Sequence, residues 1–256
     1  RQGLKDALDY YRTYYAPNNA ILVVAGDVTP EDVRKLAETY YSPIPANPDL
    51  PERVRASEPR QMAERRMTFR DARVAQPYLS RSYIAPERDS GAQEEAAALT
   101  LLAEILGGGS TSVLTQKLQF DSRIAVQTGV YYSGLSLDDT TLSLVVVPAA
   151  GVTLEQAEAA MDDVLTTFLE TGIDADQLER IKMQVRASEI YARDDAGGLA
   201  NRYGRALTQG LTVADVQAWH EILQNTSEDD IMAAARKVFD RNKSVTGWLM
   251  APEVTQ

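Results

Sequence analysis

Hydrolytic, nucleophilic and metal chemistry each need particular side chains at particular spacings, and this chain supplies few of them. It holds one histidine, His220, and no cysteine in 256 residues, which excludes thiol catalysis and Cys-ligated zinc. A zinc site needs three or four ligands, so His220 would have to recruit carboxylates from elsewhere. The simpler reading is an exposed or hydrogen-bonded helix histidine between Trp219 and Glu221. The acidic pairs Asp138-Asp139, Asp162-Asp163, Asp194-Asp195 and Asp229-Asp230 do not share a helix face, because adjacent residues never do. They read as solvated surface, and Asp229-Asp230 also suits the first turn of a helix, where the dipole favours negative charge. No calcium loop of alternating acids around a central glycine occurs. Gly107 to Ser110, GGGS before a helix, could cradle a phosphate. It lacks the P-loop lysine and follows a helix instead of a strand, so it reads as a helix stop and a flexible turn.

The stretch with most chemical promise is Lys117 to Gly134, KLQFDSRIAVQTGVYYSG, which joins a helix to a strand carrying Tyr131 and Tyr132. Consecutive residues of a strand face opposite sides, so one tyrosine packs inward while the other presents its hydroxyl to a cavity or partner. Arg123 could orient a carbonyl or carboxylate, or mark the exposed turn before the strand. Arg123 and Tyr131 are the candidate substrate-binding residues. The span offers no candidate catalytic residue and no candidate metal ligand set.

These residues need a scaffold, and composition bounds it. With 44% hydrophobic residues the chain can bury one large core or two modest ones. A formal net charge of −11, from 37 acidic against 26 basic side chains, repels phosphate backbones and argues against a nucleic-acid partner. No run approaches the roughly 18 apolar residues of a membrane-spanning helix. The N-terminus has no signal-peptide core, and a chain opening on Arg1 without Met is expected to be a piece of a longer protein.

Leu4, Ala7, Leu8, Tyr11, Tyr14 and Tyr15 recur at helical spacing and stop at Pro17-Asn18-Asn19. Ala20 to Ala25 is an apolar run of strand length, expected to be a strand buried on both faces or packed beneath helices. Thr29-Pro30-Glu31-Asp32 places a hydroxyl cap, a first-turn proline and two acids at the start of the next helix. From Pro43 to Arg66 the pattern collapses, with five of the eleven prolines, as expected of a linker. Beyond it, Arg65 to Arg70 and Arg73 to Tyr83 read as strands, Gln93 to Leu106 as a helix and Ser110 to Leu118 as a second, short one. Ile124 to Ser133 and Thr140 to Val147 read as antiparallel strands joined through Gly134 to Asp139. A helix from Thr153 closes at Gly172. Helices follow over Asp174 to Arg193, Leu199 to Thr208, Val213 to Leu223 and Ser227 to Phe239, and Lys243 to Met250 ends the chain as a strand.

Tyr14 to Asn19 leading into ILVVAG is echoed by Val238 to Lys243 leading into SVTGWLM, a helix end, a polar turn with Asn, then a strand. Two related units follow from this echo: residues 1–42 are the end of a first domain, 43–64 a linker, and 65–256 a complete second domain. The fold class is α+β, a mostly antiparallel sheet covered by helices.

Several segments carry a family resemblance. YYAPNNAILVVAGDVTPEDVRKLAETYYSPIP, SRSYIAP, LLAEILGGGSTSVLTQKL and VTLEQAEAAMDDVLTTFLETGIDADQLERIKMQV resemble, in order and spacing, the end of the first domain and then the second domain of the pitrilysin/insulinase (M16) zinc peptidases. The resemblance implies a two-domain clamshell half in which the first domain holds zinc through H-x-x-E-H plus a later Glu, and the second closes over the peptide. In catalytic members the metal-bound water attacks the peptide carbonyl, with the motif's Glu as general base. None of those ligands lies in this span, so zinc is expected only in the full-length parent or a partner. The partners so implied are a peptide or unfolded polypeptide gripped by strand addition, the missing N-terminal domain, or a family partner subunit in a homo- or heterodimer. In bacteria the family suggests an exported or periplasmic location.

Many members carry Leu-Arg in the second domain with a Tyr seven residues after the Arg, a pair thought to hold substrate. Aligned on Leu118 and Ile124-Ala125, this chain has Gln119 and Val126 at those positions; Arg123 and Tyr131, eight apart, are the possible substitutes. Three readings follow: the substrate-enclosing portion of an active bacterial zinc endopeptidase, inactive by itself; a catalytically silent subunit that pairs with an active one; or an assembly protein that kept the fold, as relatives in respiratory complexes have.

Overall fold

A computed structural model describes residues 3–52, 54–55, 59, 61–192 and 194–252; the other linker positions and Arg193, where the last expected helix turn of that segment falls, lie outside the described residues. The chain divides into two compact units, one of Arg1–Pro59 with Ile190–Thr208, the other of Arg60–Glu189 with Gln209–Gln256.

In the smaller unit α1, Leu4–Tyr14, ends in a turn at Pro17–Asn19. The two asparagines of that turn have separate tasks. Asn19 Nδ2 donates to the Tyr14 carbonyl at 2.8 Å, satisfying an orphan group at the helix end. Asn18 exchanges two hydrogen bonds of 3.0 Å with the backbone of Asn47. α2, Pro30–Tyr40, starts as expected: Thr29 accepts from Asp32 N, and Pro30 opens the first turn. Ala20 to Ala25 departs from expectation. It forms no strand, and Ile21, Leu22 and Val24 are about half exposed (49, 53 and 49%). A strand needs a neighbour to take its backbone groups, and the described residues offer this segment none.

Among the described residues the larger unit has a five-stranded sheet. Its members in chain order are β1, Arg65–Arg70; β2, Tyr78–Ala85; β3, Ala125–Tyr132; β4, Thr140–Pro148; and β5, Ser244–Met250. Their spatial order is β1-β5-β2-β4-β3. β1 runs parallel to β5, and the other pairs are antiparallel, so the mostly antiparallel α+β class holds. β2 starts later than the expected Arg73, because Asp71 ties Arg73 into a turn through its backbone N at 2.8 Å and Nε at 2.9 Å, and Pro77 has no N–H to offer a ladder.

Helices bury one face of this sheet. α3, Glu94–Gly107, is apolar almost all round and nearly fully buried, as a central core helix must be. After it, the expected helix over Ser110 to Leu118 is shifted and widened: Thr115–Asp121 is a π-helix, a rare form frequent at functional sites. α4, Leu154–Thr171, is capped reciprocally by Thr153 and Gln156 and stops at Gly172, φ 80°, a conformation that favours glycine. α5, Ala175–Ala192, leads to α6, Ala196–Thr208, which folds with the smaller unit. α7, Val213–Asn225, and α8, Glu228–Val238, carry capping boxes at Thr212/Asp215 and Ser227/Asp230. Inward residues Leu79, Tyr83, Leu142, Leu144 and Val146 meet Leu99, Leu102, Met161 and Ile231 in one core.

Two glycines test this packing. A Cβ on Gly107 would sit 2.2 Å from the Val130 backbone nitrogen, so α3 approaches β3 as closely as it does only because that atom is missing. Gly107→Ala should lower stability by about 3 kcal/mol. A Cβ on Gly204, inside α6, would meet nothing nearer than Val23 at 3.8 Å. Gly204→Ala should therefore raise the stability of the smaller unit by about 0.5–1 kcal/mol. Thermal denaturation of both variants checks the opposite signs.

Candidate functional site

Arg81 stands on the inner face of β2 between Leu79 and Tyr83, fully buried. A buried guanidinium needs charge partners, and α4 supplies them at i, i+4 on one helix face: Glu158 and Asp162 both pair with Arg81. Arg81 Nε also donates to Thr246 Oγ1 at 2.9 Å. Arg66 of β1 binds Glu158 through two parallel bonds of 2.7 Å while its guanidinium lies 5.3 Å from the Trp248 ring centre. Trp248 Nε1 donates to Glu158 at 2.8 Å. Arg241 joins Asp162 at 2.9 Å to Glu64 at 3.0 Å. Three arginines thus meet three carboxylates in one continuous network. Burial alone would raise the Glu158 pKa, but the hydrogen bonds and charges of Arg66 and Arg81 and the Trp248 donor pull it down to about 2. Asp162, expected as solvated surface, is corrected here: two arginines hold it.

The network anchors the sheet on its helix side; its other face is open. Outward residues of β2 and β4, from Ser80, Ser82 and Ile84 to Thr141, Ser143, Val145 and Val147, are half-buried or exposed and uncharged. Ser82 and Ser143 Oγ lie 2.8 Å apart. β3 closes the sheet on this side, and among the described residues no strand pairs with its outer edge.

Tyr131 points out from β3 and is 59% exposed; its ring lies over Gly129, where a Cβ would come within 2.7 Å of the phenol oxygen. Tyr132 points inward and donates to the Pro86 carbonyl at 2.7 Å, and burial raises its pKa. Arg123 is exposed with φ 56°, a left-handed conformation at the start of β3. With a rise of about 3.3 Å per strand residue, Arg123 and Tyr131 stand roughly 20–25 Å apart. They are two separate points along one strand, not a pair acting on one atom.

Gln119 and Val126 do come together. With its carboxamide oriented to suit its neighbours, Gln119 accepts from Thr128 N at 3.0 Å and Thr128 Oγ1 at 2.8 Å, and donates to the Val126 carbonyl at 3.3 Å. The ladder between β3 and β4 slips by one residue between Ala125 and Gln127, a bulge that turns Val126 outward. The family resemblance pointed to these two positions but not to the contact, which depends on the π-helix and the bulge.

The remaining candidates are spent on structure. Gly108 and Gly109 donate their N–H groups to Glu104 and Gly107 carbonyls, and Asp230 caps α8 through Ser227 N and Oγ. Asp215, which sequence reasoning passed over, accepts from Thr212, Ser90 and Gly91. The Thr212 and Ser90 hydroxyls and these backbone N–H groups hold its pKa low. Arg88 stacks on Trp219 at 3.7 Å, and burial lowers its pKa to about 10. Among the described residues no three His, Cys, Asp or Glu side chains converge, and His220 lies half-buried on α7. The donor set of the described residues does not fit zinc.

The larger unit is a mostly antiparallel sheet with helices on one face and the outward residues of β2 and β4 open on the other. The family profile described as the Peptidase M16 inactive domain matches residues 3–185, and the chain belongs to that family. It is similar to the zinc protease PqqE of Helicobacter pylori, 24% identical over 253 residues, covering 96% of this chain and 54% of that protein. A Streptomyces coelicolor protein described as an uncharacterized zinc protease is 25% identical over 250 residues, covering 93% of this chain and 51% of its own. The chain spans about half the length of these curated relatives.

Among solved structures, a Helicobacter pylori protease superposes with a TM-score of 0.88 at 22% identity, covering 98% of this chain and 59% of that one. The first half of the periplasmic protease PqqL from Escherichia coli gives 0.81 at 16%, covering 98% and 55%. At these identities the superpositions establish the fold.

The network yields a pH test. Glu158 has a folded pKa of about 2 against an ordinary 4.5, so its contribution is complete above the ordinary value and lost as pH falls from there towards the folded one. Glu158→Gln should cost about 3 kcal/mol at neutral pH, because it leaves buried arginine charge uncompensated. It should also flatten the loss of stability between those two pH values, as read by urea denaturation across the range.

Proposed function

We propose that this chain is the substrate-enclosing, non-catalytic portion of a bacterial M16-type zinc metalloendopeptidase. The observation that carries this is the open, uncharged face of β2 and β4 beside an edge of β3 that no described strand pairs, in a chain among whose described residues no three His, Cys, Asp or Glu side chains converge. An extended polypeptide finds there backbone partners along an edge and neutral, partly apolar ground for its side chains. Tyr131 and Arg123 would touch it at two well-separated points. Peptide-bond hydrolysis then requires a metal-bearing half, and relatives about twice as long support that arrangement. A periplasmic location is supported by the likeness to PqqL, whose description calls it periplasmic. No described helix is long and apolar enough to cross a membrane.

A second reading is favoured by one observation, the Gln119 and Val126 positions that carry Arg and Tyr in many family members. A catalytically silent subunit, paired with an active zinc-bearing partner in a heterodimer, would have relaxed demands there.

Metal analysis and a peptide-cleavage assay should find no stoichiometric zinc and no cleavage with this chain alone. Bound zinc would overturn both readings. Cleavage by the protein only when joined to its preceding sequence supports the first, and cleavage only on adding a second gene product supports the other. For the grip itself, Tyr131→Ala should weaken binding of an unfolded polypeptide about tenfold, the scale of one lost aromatic contact. Arg123→Gly should weaken binding while leaving stability unchanged or higher by up to about 1 kcal/mol, since glycine relieves the left-handed backbone. Fluorescence anisotropy and thermal denaturation separate the two effects.

A further inference from the structure

We infer that the Gln119 carboxamide is a built-in stand-in for a neighbouring strand, which caps the first part of the free edge of β3 and sets where an added polypeptide strand can begin. The inference rests on the polypeptide-binding reading above and makes it specific.

Residues of a strand alternate in the direction of their backbone groups as well as of their side chains. Gln127, Gly129 and Tyr131 are outward on the open face, and Thr128, Val130 and Tyr132 inward. Thr128 N is bound by Gln119 and not by β4, so the inward set carries the backbone groups that point to the free edge. Gln119 takes the Thr128 N–H and the Val126 carbonyl with the two ends of one planar amide. That is the two-point pattern that one residue of a parallel neighbouring strand makes through its own N–H and its own C=O.

The amide is held in place. Ser112 Oγ lies 2.9 Å from Thr115 Oγ1, Thr115 Oγ1 lies 3.0 Å from Thr128 Oγ1, and Thr128 Oγ1 donates onward to Gln119. Ser112 and Thr115 are buried, and hydroxyls in such a relay polarise one another and fix a single orientation. The widened turn of the π-helix carries both Thr115 and Gln119 at one end of the relay, and the bulge presents Val126 at the other. A strand seeking the edge finds the Val126 carbonyl and the Thr128 N–H occupied. Beyond the Thr128 carbonyl, the N–H and carbonyl groups of Val130 and Tyr132 are the first complete sets it can reach, in the stretch that carries Tyr131.

Amide hydrogen exchange on the full chain tests the cap without any ligand. Gln119→Met keeps the shape of the side chain and removes its hydrogen bonds. Thr128 N–H should then exchange about tenfold faster, the equivalent of one hydrogen bond. Gln119→Glu, which keeps acceptors for Thr128, should retain slow exchange there. Unchanged exchange at Thr128 in Gln119→Met would overturn the cap.

The second arm adds a short acetylated and amidated peptide of alternating Ser and Val. In the wild type it should slow exchange at Tyr132 and leave Thr128 unaltered; in Gln119→Met it should slow both. Added protection of Thr128 in the wild type, or none there in Gln119→Met when Tyr132 is protected, overturns the claim that Gln119 sets the start. Protection at no β3 amide in either protein, with the ligand-free difference intact, overturns strand addition and assigns the failure to the binding reading rather than to the cap.

Discussion

The buried charge of Arg81 is the constraint around which the larger unit is organised. A fully buried guanidinium beneath a sheet is tolerable only if carboxylates meet it with good geometry, and Glu158 and Asp162 do so from α4. Once they are fixed, other elements follow. Arg66 reaches Glu158 only with β1 beside β5, in the register that sets Arg66 against Thr246. Trp248, two residues on, then places its indole N–H on the same carboxylate. Arg241 ties the turn before β5 to Glu64, and Gln61 binds the Ser244 carbonyl at 2.8 Å, so the end of the linker is held by the same corner. A network of this kind contributes less to net stability than to choosing one arrangement. Here it ties the parallel pair of β1 and β5 to α4.

Much of this fold was legible because local signals agreed with the tertiary result. Thr153 with Gln156, Ser227 with Asp230 and the stop at Gly172 mark helix ends through hydrogen bonds that form within a few residues. β4 was legible from its β-branched residues and alternating leucines, which the sheet buries on one face. Ala20 to Ala25 is likewise aliphatic and forms no strand, because composition reports a preference for pairing and cannot supply the partner. Arg81 and Glu158 were equally beyond local reading, although a charge between Leu79 and Tyr83 on an inward face, and two acids at i, i+4, hint at an ion pair. What the sequence lacked was the identity of the element lying opposite.

The corner before β3 shows why site residues are harder to read than cores. The family resemblance singled out Gln119 and Val126, with Arg123 and Tyr131 as possible substitutes, but the relations of these residues depend on three departures from regular geometry: the π-helix, the left-handed Arg123 and the bulge at Val126. Each departure shifts register or direction, and register decides which face a side chain occupies. Counting eight residues from Arg123 to Tyr131 suggested a pair, whereas an extended strand separates them. Counting seven from Gln119 to Val126 suggested a lost pair, whereas the fold joins these two positions by a hydrogen bond to the backbone.

The two halves of this design then become intelligible together. On the helix side the sheet is closed by charge that cannot be moved without large cost. On the other side β2 and β4 present hydroxyl and aliphatic groups. A surface that must hold varied extended chains gains little from charged side chains, which would select among them. It gains more from backbone groups, which every polypeptide shares, and from an aromatic ring such as that of Tyr131, which lies over Gly129. Selectivity, on this argument, resides in where a strand may start rather than in which residues it carries, and the side chain placed to govern that start is Gln119.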